Sequence, residues 1–275
     1  MSSLINSDPI SAITKEIRLK ILQIARDCGH PVHIGGSLSI VDFLAVLYQD
    51  FLRFDPQNPQ SDTRDIFILS KGHCVLGHLA TLNFFGVLSD DELSTFQNDG
   101  SDLIAHPVKN LSFGIEASTG SLGQGLSYGL GMAHGFKKRN LDRKVYVVVG
   151  DGECNEGSIW ESAMLGSELQ LDNITVFVDN NGHRNDGLTS SYTQNKLAGM
   201  WESFGWNVYD IDGHSPHELR RALQARNDIQ MPKAIVAKTT KGKGFDFMES
   251  NNDWHHNRVT EKIYQQALKL NGENN

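Results

Sequence analysis

Apolar positions follow two rhythms along this chain. Within residues 10–27, Ile13, Ile17, Ile21 and Ile24, with Leu22 and Ala25 beside them, fall at helical spacing, and Cys28-Gly29-His30-Pro31 stops the run. By contrast, Val145-Tyr146-Val147-Val148-Val149 and Ile174-Thr175-Val176-Phe177-Val178 are β-branched and aromatic without polar alternation, the signature of strands buried on both faces of a parallel sheet. Helices are expected over 38–52 behind an N-cap at Ser37, from Ser70 to Phe85, and from Ser89, where acidic residues fill the first turn. Further helices are expected over 156–169, with Ile159, Ala163, Leu165 and Leu169 as the buried stripe, then 195–204, from a cap at Ser215 to Arg226, and 260–270. Strands are expected at 64–69, 206–211 and 233–238, with loops at 98–113 and 239–256. After Ser118-Thr119-Gly120-Ser121-Leu122-Gly123-Gln124-Gly125 comes a helix whose Gly125, Gly129 and Gly131 predict close packing on a neighbour, because its propensity is poor. The alternation of strand and helix predicts an α/β fold: a doubly wound parallel sheet with helices on both faces. No repeat or low-complexity linker divides it, so residues 1–275 read as one domain.

The chemistry concentrates where the 145–149 strand ends in Gly150-Asp151-Gly152. Two glycines flanking an aspartate permit a sharp turn and close approach of a ligand. The helix expected to start at Glu156 brings an amino terminus that attracts phosphate. The next buried strand ends in Asp179-Asn180-Asn181, and Asn181 lies 181 − 151 = 30 positions after Asp151, the length of a strand-turn-helix-strand unit. A carboxylate, an amide oxygen and two phosphate oxygens suit a hard octahedral cation such as Mg²⁺.

Composition narrows the class. The net charge of −8 argues against a nucleic-acid partner; Lys137-Lys138-Arg139 reads as a solvated helix end, and Lys241 with Lys243 as a local basic spot. Cys28, Cys74 and Cys154 are odd in number and lack metal-site spacing, which fits a reducing compartment. No apolar run approaches a membrane span, and the first residues have neither a signal core nor an Arg-rich transit pattern. A cytoplasmic protein is expected.

Asp151 and Asn181 stand in a pattern that resembles the GDG…NN signature of thiamine diphosphate enzymes. Taken with His33-Ile34-Gly35-Gly36-Ser37, Ser70-Lys71-Gly72-His73, His106-Pro107, Gly120-Ser121-Leu122-Gly123-Gln124-Gly125, Lys241-Gly242-Lys243-Gly244 and Trp254-His255, the order resembles that of transketolases over nearly the whole chain. The resemblance implies the thiamine diphosphate-binding fold, and thiamine diphosphate with Mg²⁺ or another divalent cation such as Ca²⁺ or Mn²⁺. It implies that Asp151 and Asn181 ligate the metal through side chains and His183 through its carbonyl, while Gly150 and Gly152 lie against the diphosphate. Gly120, Ser121 and Leu122 would cradle the aminopyrimidine. Histidine suits proton exchange near neutral pH, and the family pattern gives His33, His73, His106 and His255 that work. His33 is preferred to His30 because Gly35-Gly36-Ser37 follows it, whereas the choice between His255 and His256 stays open. Glu156 matches an acidic residue at a subunit boundary near the cofactor-activating carboxylate, and otherwise is a favourable acid in a helix first turn. Lys241 either meets the diphosphate or is a solvated loop lysine.

The chain corresponds to the amino-terminal, diphosphate-binding half of a full-length transketolase. The activating glutamate, the aromatic pocket and the sugar-phosphate grip of the family belong to the other half. The resemblance therefore implies a split enzyme, active only with a C-terminal partner subunit in a two-plus-two heterotetramer, transferring a two-carbon ketol unit between sugars. The alternatives are the α subunit of a 2-oxoacid dehydrogenase and a non-catalytic regulatory module.

Overall fold

A computed structural model describes residues 8–225 and 230–270. In chain order the elements are α1 (Pro9–Asp27), α2 (Gly35–Ser39), α3 (Val41–Val46), β1 (Ile66–Leu69), α4 (Val75–Phe84), α5 (Asp90–Leu93) and α6 (Gln124–Lys138), followed by β2 (Val145–Gly150) and α7 (Gly157–Glu168). Then come β3 (Ile174–Asn180), α8 (Ser191–Ser203), β4 (Asn207–Asp212), α9 (Pro216–Gln224), β5 (Lys233–Lys238) and α10 (Glu261–Leu270). The strands form a sheet in the order β1-β2-β3-β5-β4, and every neighbouring pair is parallel.

The unbroken apolar runs have the predicted cause. Alternate residues of each inner strand enter different cores: Tyr146, Val148, Phe177 and Ile235 pack with α1, α3 and α4, while Val145, Val147, Val149, Val176 and Val236 pack with α6, α7 and α8. Both faces are covered, so no polar alternation is tolerated. Because all strands run one way, their carboxyl ends gather Ser70, Gly150, Asn180 and Lys238 along one edge.

The helix ends follow local chemistry. Asp8 caps α1 by accepting from Ile10 N–H at 3.1 Å ahead of Pro9 at the first turn. Ser89 and Glu92 form a reciprocal capping box, and Ser215 accepts from Glu218 N–H at 3.3 Å at the start of α9. The predicted end of that helix at Arg226 lies outside the described residues.

Several expectations need correction. The single helix over 38–52 is instead α2, α3 and a π-helical turn at Leu47–Phe51. Ser37 lies inside α2 and donates its hydroxyl to His33 O at 3.1 Å rather than capping. On α7 the buried face is Ile159, Ser162, Ala163 and Gly166, where Leu130 and Trp206 leave no room for a longer residue at Gly166, and Leu165 is 44% exposed. On α6 a Cβ at Gly125 would lie 2.6 Å from Ser70 and one at Gly129 2.6 Å from Val147, whereas Gly131 meets nothing within 4 Å.

That contrast predicts opposite stability effects along one helix. Gly129→Val should destabilise by about 1–3 kcal/mol through overpacking, and Gly131→Ala should stabilise by about 0.5–1 kcal/mol through helix propensity. Urea midpoints measure both; shifts of the same sign would contradict the packing of α6.

Candidate functional site

Along the carboxyl edge, loops after β1, β2, β3 and β5 enclose a cavity of about 430 Å³. At one end lies the Gly150-Asp151-Gly152 turn. Asp151 is 1% exposed; its Oδ1 accepts from Gly152 N–H at 2.8 Å, and its Oδ2 from Gly182 N–H and Thr189 Oγ1, each at 2.9 Å. Among the described residues no cation forms an ion pair with it. Burial, then the neighbouring Asp179 carboxylate, holds its pKa above the ordinary carboxylate value. Asn181 donates its amide to Asp179 at 2.8 Å, which directs Oδ1 toward His183, whose N–H it accepts at 3.0 Å. Asp151, Asn181 and His183 line one cavity, and a buried carboxylate without a counter-charge, an amide oxygen and a peptide carbonyl are donor types that suit a hard divalent cation.

Beneath these residues runs a buried polar network. Lys71, 2% exposed, pairs with Asp179, which has no exposure and also receives Ser39 Oγ at 2.7 Å and the hydroxyl of Thr239. Burial works against the Lys71 ammonium, but Asp179 outweighs it and raises the pKa. Glu153, also 2% exposed, accepts from Gly123 N–H at 2.8 Å, Gly150 N–H at 3.1 Å and the hydroxyl of Ser70. It ties three of the sequence motifs together, and burial raises its pKa. Sequence reading assigned no role to Lys71, Glu153, Asp179 or Arg184. The first three fall inside or next to the motifs, yet an acidic or basic letter does not disclose that it is buried.

At the other end the histidines converge. The His33 ring lies 5.3 Å from that of His73, 6.0 Å from His106, 5.2 Å from His255 and 4.6 Å from His256. Burial, then His255, His256, His106 and Lys241, pulls His33 down to about 3. Burial, then Lys241, lowers His255 to about 4, and His73 and His106 are also lowered by burial. These rings are neutral at pH 7 and able to take or give a proton.

Lys241 is 2% exposed, not a solvated loop lysine. Its ammonium donates to Arg184 O at 3.2 Å, Asn252 Oδ1 at 2.9 Å and His255 Nδ1 at 2.8 Å. Since an ammonium cannot accept, the His255 proton sits on Nε2. Burial, then Lys71, brings Lys241 to about 8, so it still carries charge at pH 7.

Of the residues singled out from sequence, His33, His73, His106, His255, Gly120, Leu122, Gly150, Asp151, Gly152, Asn181, His183 and Lys241 line this cavity. Ser121 and Glu156 do not, and both are exposed, as are His30 and His256. Nor does the α7 amino terminus reach it, because a tight turn, Glu153–Asn155, intervenes after Gly152. Gly120 adopts φ +146°, and a Cβ there would lie 3.0 Å from the His106 ring.

A parallel sheet covered on both faces, with this cleft at its carboxyl edge, is an open α/β architecture, and its match to transketolase structures makes it the thiamine diphosphate-binding fold. The family described as Transketolase, thiamine diphosphate binding domain, matches residues 11–272, and the chain belongs to that family. It is 38% identical to one of the subunits of the apulose-4-phosphate transketolase of Phocaeicola vulgatus, over 86% of this chain and 85% of that one. It is also 38% identical to a 6-deoxy-6-sulfo-D-fructose transketolase subunit of a Clostridium species, over 86% of each chain. The crystal structure of transketolase from Campylobacter jejuni superposes with a TM-score of 0.83 at 28% identity, over 96% of this chain and 42% of that one. The chain thus spans about two fifths of that transketolase's length. These relatives favour ketol transfer over the 2-oxoacid dehydrogenase alternative.

Removing one member of the buried pair should be costly. Lys71→Met leaves Asp179 buried and unpaired and should destabilise by about 3–5 kcal/mol, with part of the loss recovered in Lys71→Met/Asp179→Asn. Chemical unfolding of the single and double variants decides this; additive losses would exclude the coupling.

The histidines also predict a pH dependence. Unfolded, His33 takes up a proton below about 6.5; folded, it does so only near 3. Its contribution is therefore complete above 6.5 and is lost as pH falls through that window. His33→Gln should flatten the fall in unfolding midpoint between pH 6.5 and 4, and an unchanged slope would contradict the shift.

Proposed function

We propose that this chain is the diphosphate-binding subunit of a split transketolase, moving a two-carbon ketol unit from a ketose, with a sugar phosphate as the expected donor, to an aldose. The observation that carries this reading is one cleft with an oxygen donor set around Asp151 at one end and four neutral histidines at the other. Family membership and the likeness to chains named as transketolase subunits support it.

In this reading Asp151, Asn181 and the His183 carbonyl hold Mg²⁺, or Ca²⁺ or Mn²⁺ in its place, and the backbones of Gly150 and Gly152 face the diphosphate. Gly120 and Leu122 would cradle the aminopyrimidine from the cavity wall, the exposed Ser121 only linking them, and the Gly120 carbonyl would accept from its amine. Thiamine diphosphate, when bound, supplies a nucleophilic carbon and an electron sink. His255 offers Nε2–H toward the cavity, its Nδ1 being occupied by Lys241. Neutral His33, His73 and His106 exchange protons with substrate hydroxyls. Exposed Glu156 lies outside the cavity and suits the boundary to a second, C-terminal subunit that brings the activating glutamate. The assembly is two-plus-two, and each copy of this chain acts as one diphosphate-binding domain. Among the described residues no helix is long and apolar enough to cross a membrane, and the cysteines are free, which supports a cytoplasmic setting.

Affinity capture of the tagged chain from its native cells, with a ketol-transfer assay of what is recovered, tests the reading. A second thiamine-type chain and two-carbon transfer are expected. Asp151→Ala should still capture that chain but lose divalent-dependent cofactor affinity by more than the roughly 10- to 100-fold cost of a lost outer-shell group. Recovery of the wild-type chain alone, without two-carbon transfer, would sink the proposal.

A further inference from the structure

Three cations line the cavity among the described residues: Lys71, Arg184 and Lys241. Two are committed elsewhere. Lys71 is neutralised by Asp179. Lys241 has three donors, and Arg184 O, Asn252 Oδ1 and His255 Nδ1 take all of them. Arg184 differs: no carboxylate pairs with it among the described residues, its Nη2 makes a long 3.3 Å bond to Asn155 Oδ1, and its Nε is buried without a partner.

Its backbone, in contrast, is pinned. Arg184 N–H donates to Gly187 O at 2.7 Å, and its carbonyl accepts from Lys241 at 3.2 Å. Its stem crosses Gly152, where a Cβ would come within 3.3 Å of Arg184 Cγ. The side chain thus lies along the Gly152 turn, next to Asp151, with its Nη2 on Asn155. Asp151, Glu153 and Asp186 line the same cavity, so an anionic diphosphate entering there needs charge that Lys71, neutralised by Asp179, cannot give and hydrogen-bond donors that Lys241 has already committed.

We infer that Arg184 anchors the diphosphate of the cofactor, supplying the guanidinium donors that Lys241 cannot. The planar fork matches phosphate oxygens better than an ammonium does, and charge-assisted bonds of this kind are the strong ones. This inference rests on the thiamine diphosphate reading above and names one residue of that same site.

The test is a titration of the full chain, in its captured complex, with thiamine diphosphate in the presence of Mg²⁺, followed by tryptophan fluorescence or calorimetry. Arg184→Gln should weaken binding roughly 10- to 100-fold, the effect of losing a hydrogen bond to a charged group, and Arg184→Lys should weaken it less. Unfolding of the ligand-free chain should be unchanged, since the head group makes a single weak bond. If Arg184→Gln does not fold, Arg184→Lys carries the comparison. Wild-type binding matched by both variants overturns the anchor and leaves the thiamine diphosphate reading standing; absence of wild-type binding overturns both.

Discussion

A carboxylate with no exposure to solvent, Asp179, holds the carboxyl edge of the sheet together. Its two oxygens receive Ser39 from α2, Lys71 from the end of β1, Asn181 from the end of β3 and Thr239 from the end of β5. A buried ion costs several kcal/mol unless it is paired and its lone pairs are filled, so these four segments are constrained to meet. Glu153 repeats the device one strand over, joining Ser70, Gly123 and Gly150. The cavity is the space left above these two satisfied carboxylates.

The same constraint orients what faces the cavity. Asn181 spends its amide hydrogens on Asp179, so its oxygen turns away from that carboxylate. Asp151 is left buried without a cation of its own. Lys241, its three donors engaged, fixes the His255 tautomer. Partial burial of the histidine rings keeps them neutral at pH 7. The two ends of the cleft thus differ: at one, Asp151 is a buried carboxylate without a paired cation, and at the other the histidine rings are neutral.

The fold was legible in the strand runs because burial on both faces removes the polar alternation of a half-exposed strand, a constraint written residue by residue in 145–149 and 174–178. Capping at Ser89 and Ser215 was legible for the same reason: the hydrogen bonds are made within four residues. The break between α2, α3 and the π-helical turn was not, nor was the exposure of Leu165, because each depends on what a distant segment places against it.

By itself the sequence determined the parallel sheet, the strand-end turns at Gly150-Asp151-Gly152 and Asn180-Asn181, and the family to which the chain belongs, since these rest on local periodicity and short spacings. His33 was already preferred to His30 from the glycines that follow it, but tertiary structure alone decided that His255 lines the cavity while His256 is exposed, and that Lys241 is buried. It alone showed Lys71 and Asp179, 179 − 71 = 108 residues apart, as one ion pair. Charge and burial of such groups depend on partners far away in the chain, and no local pattern encodes the partner.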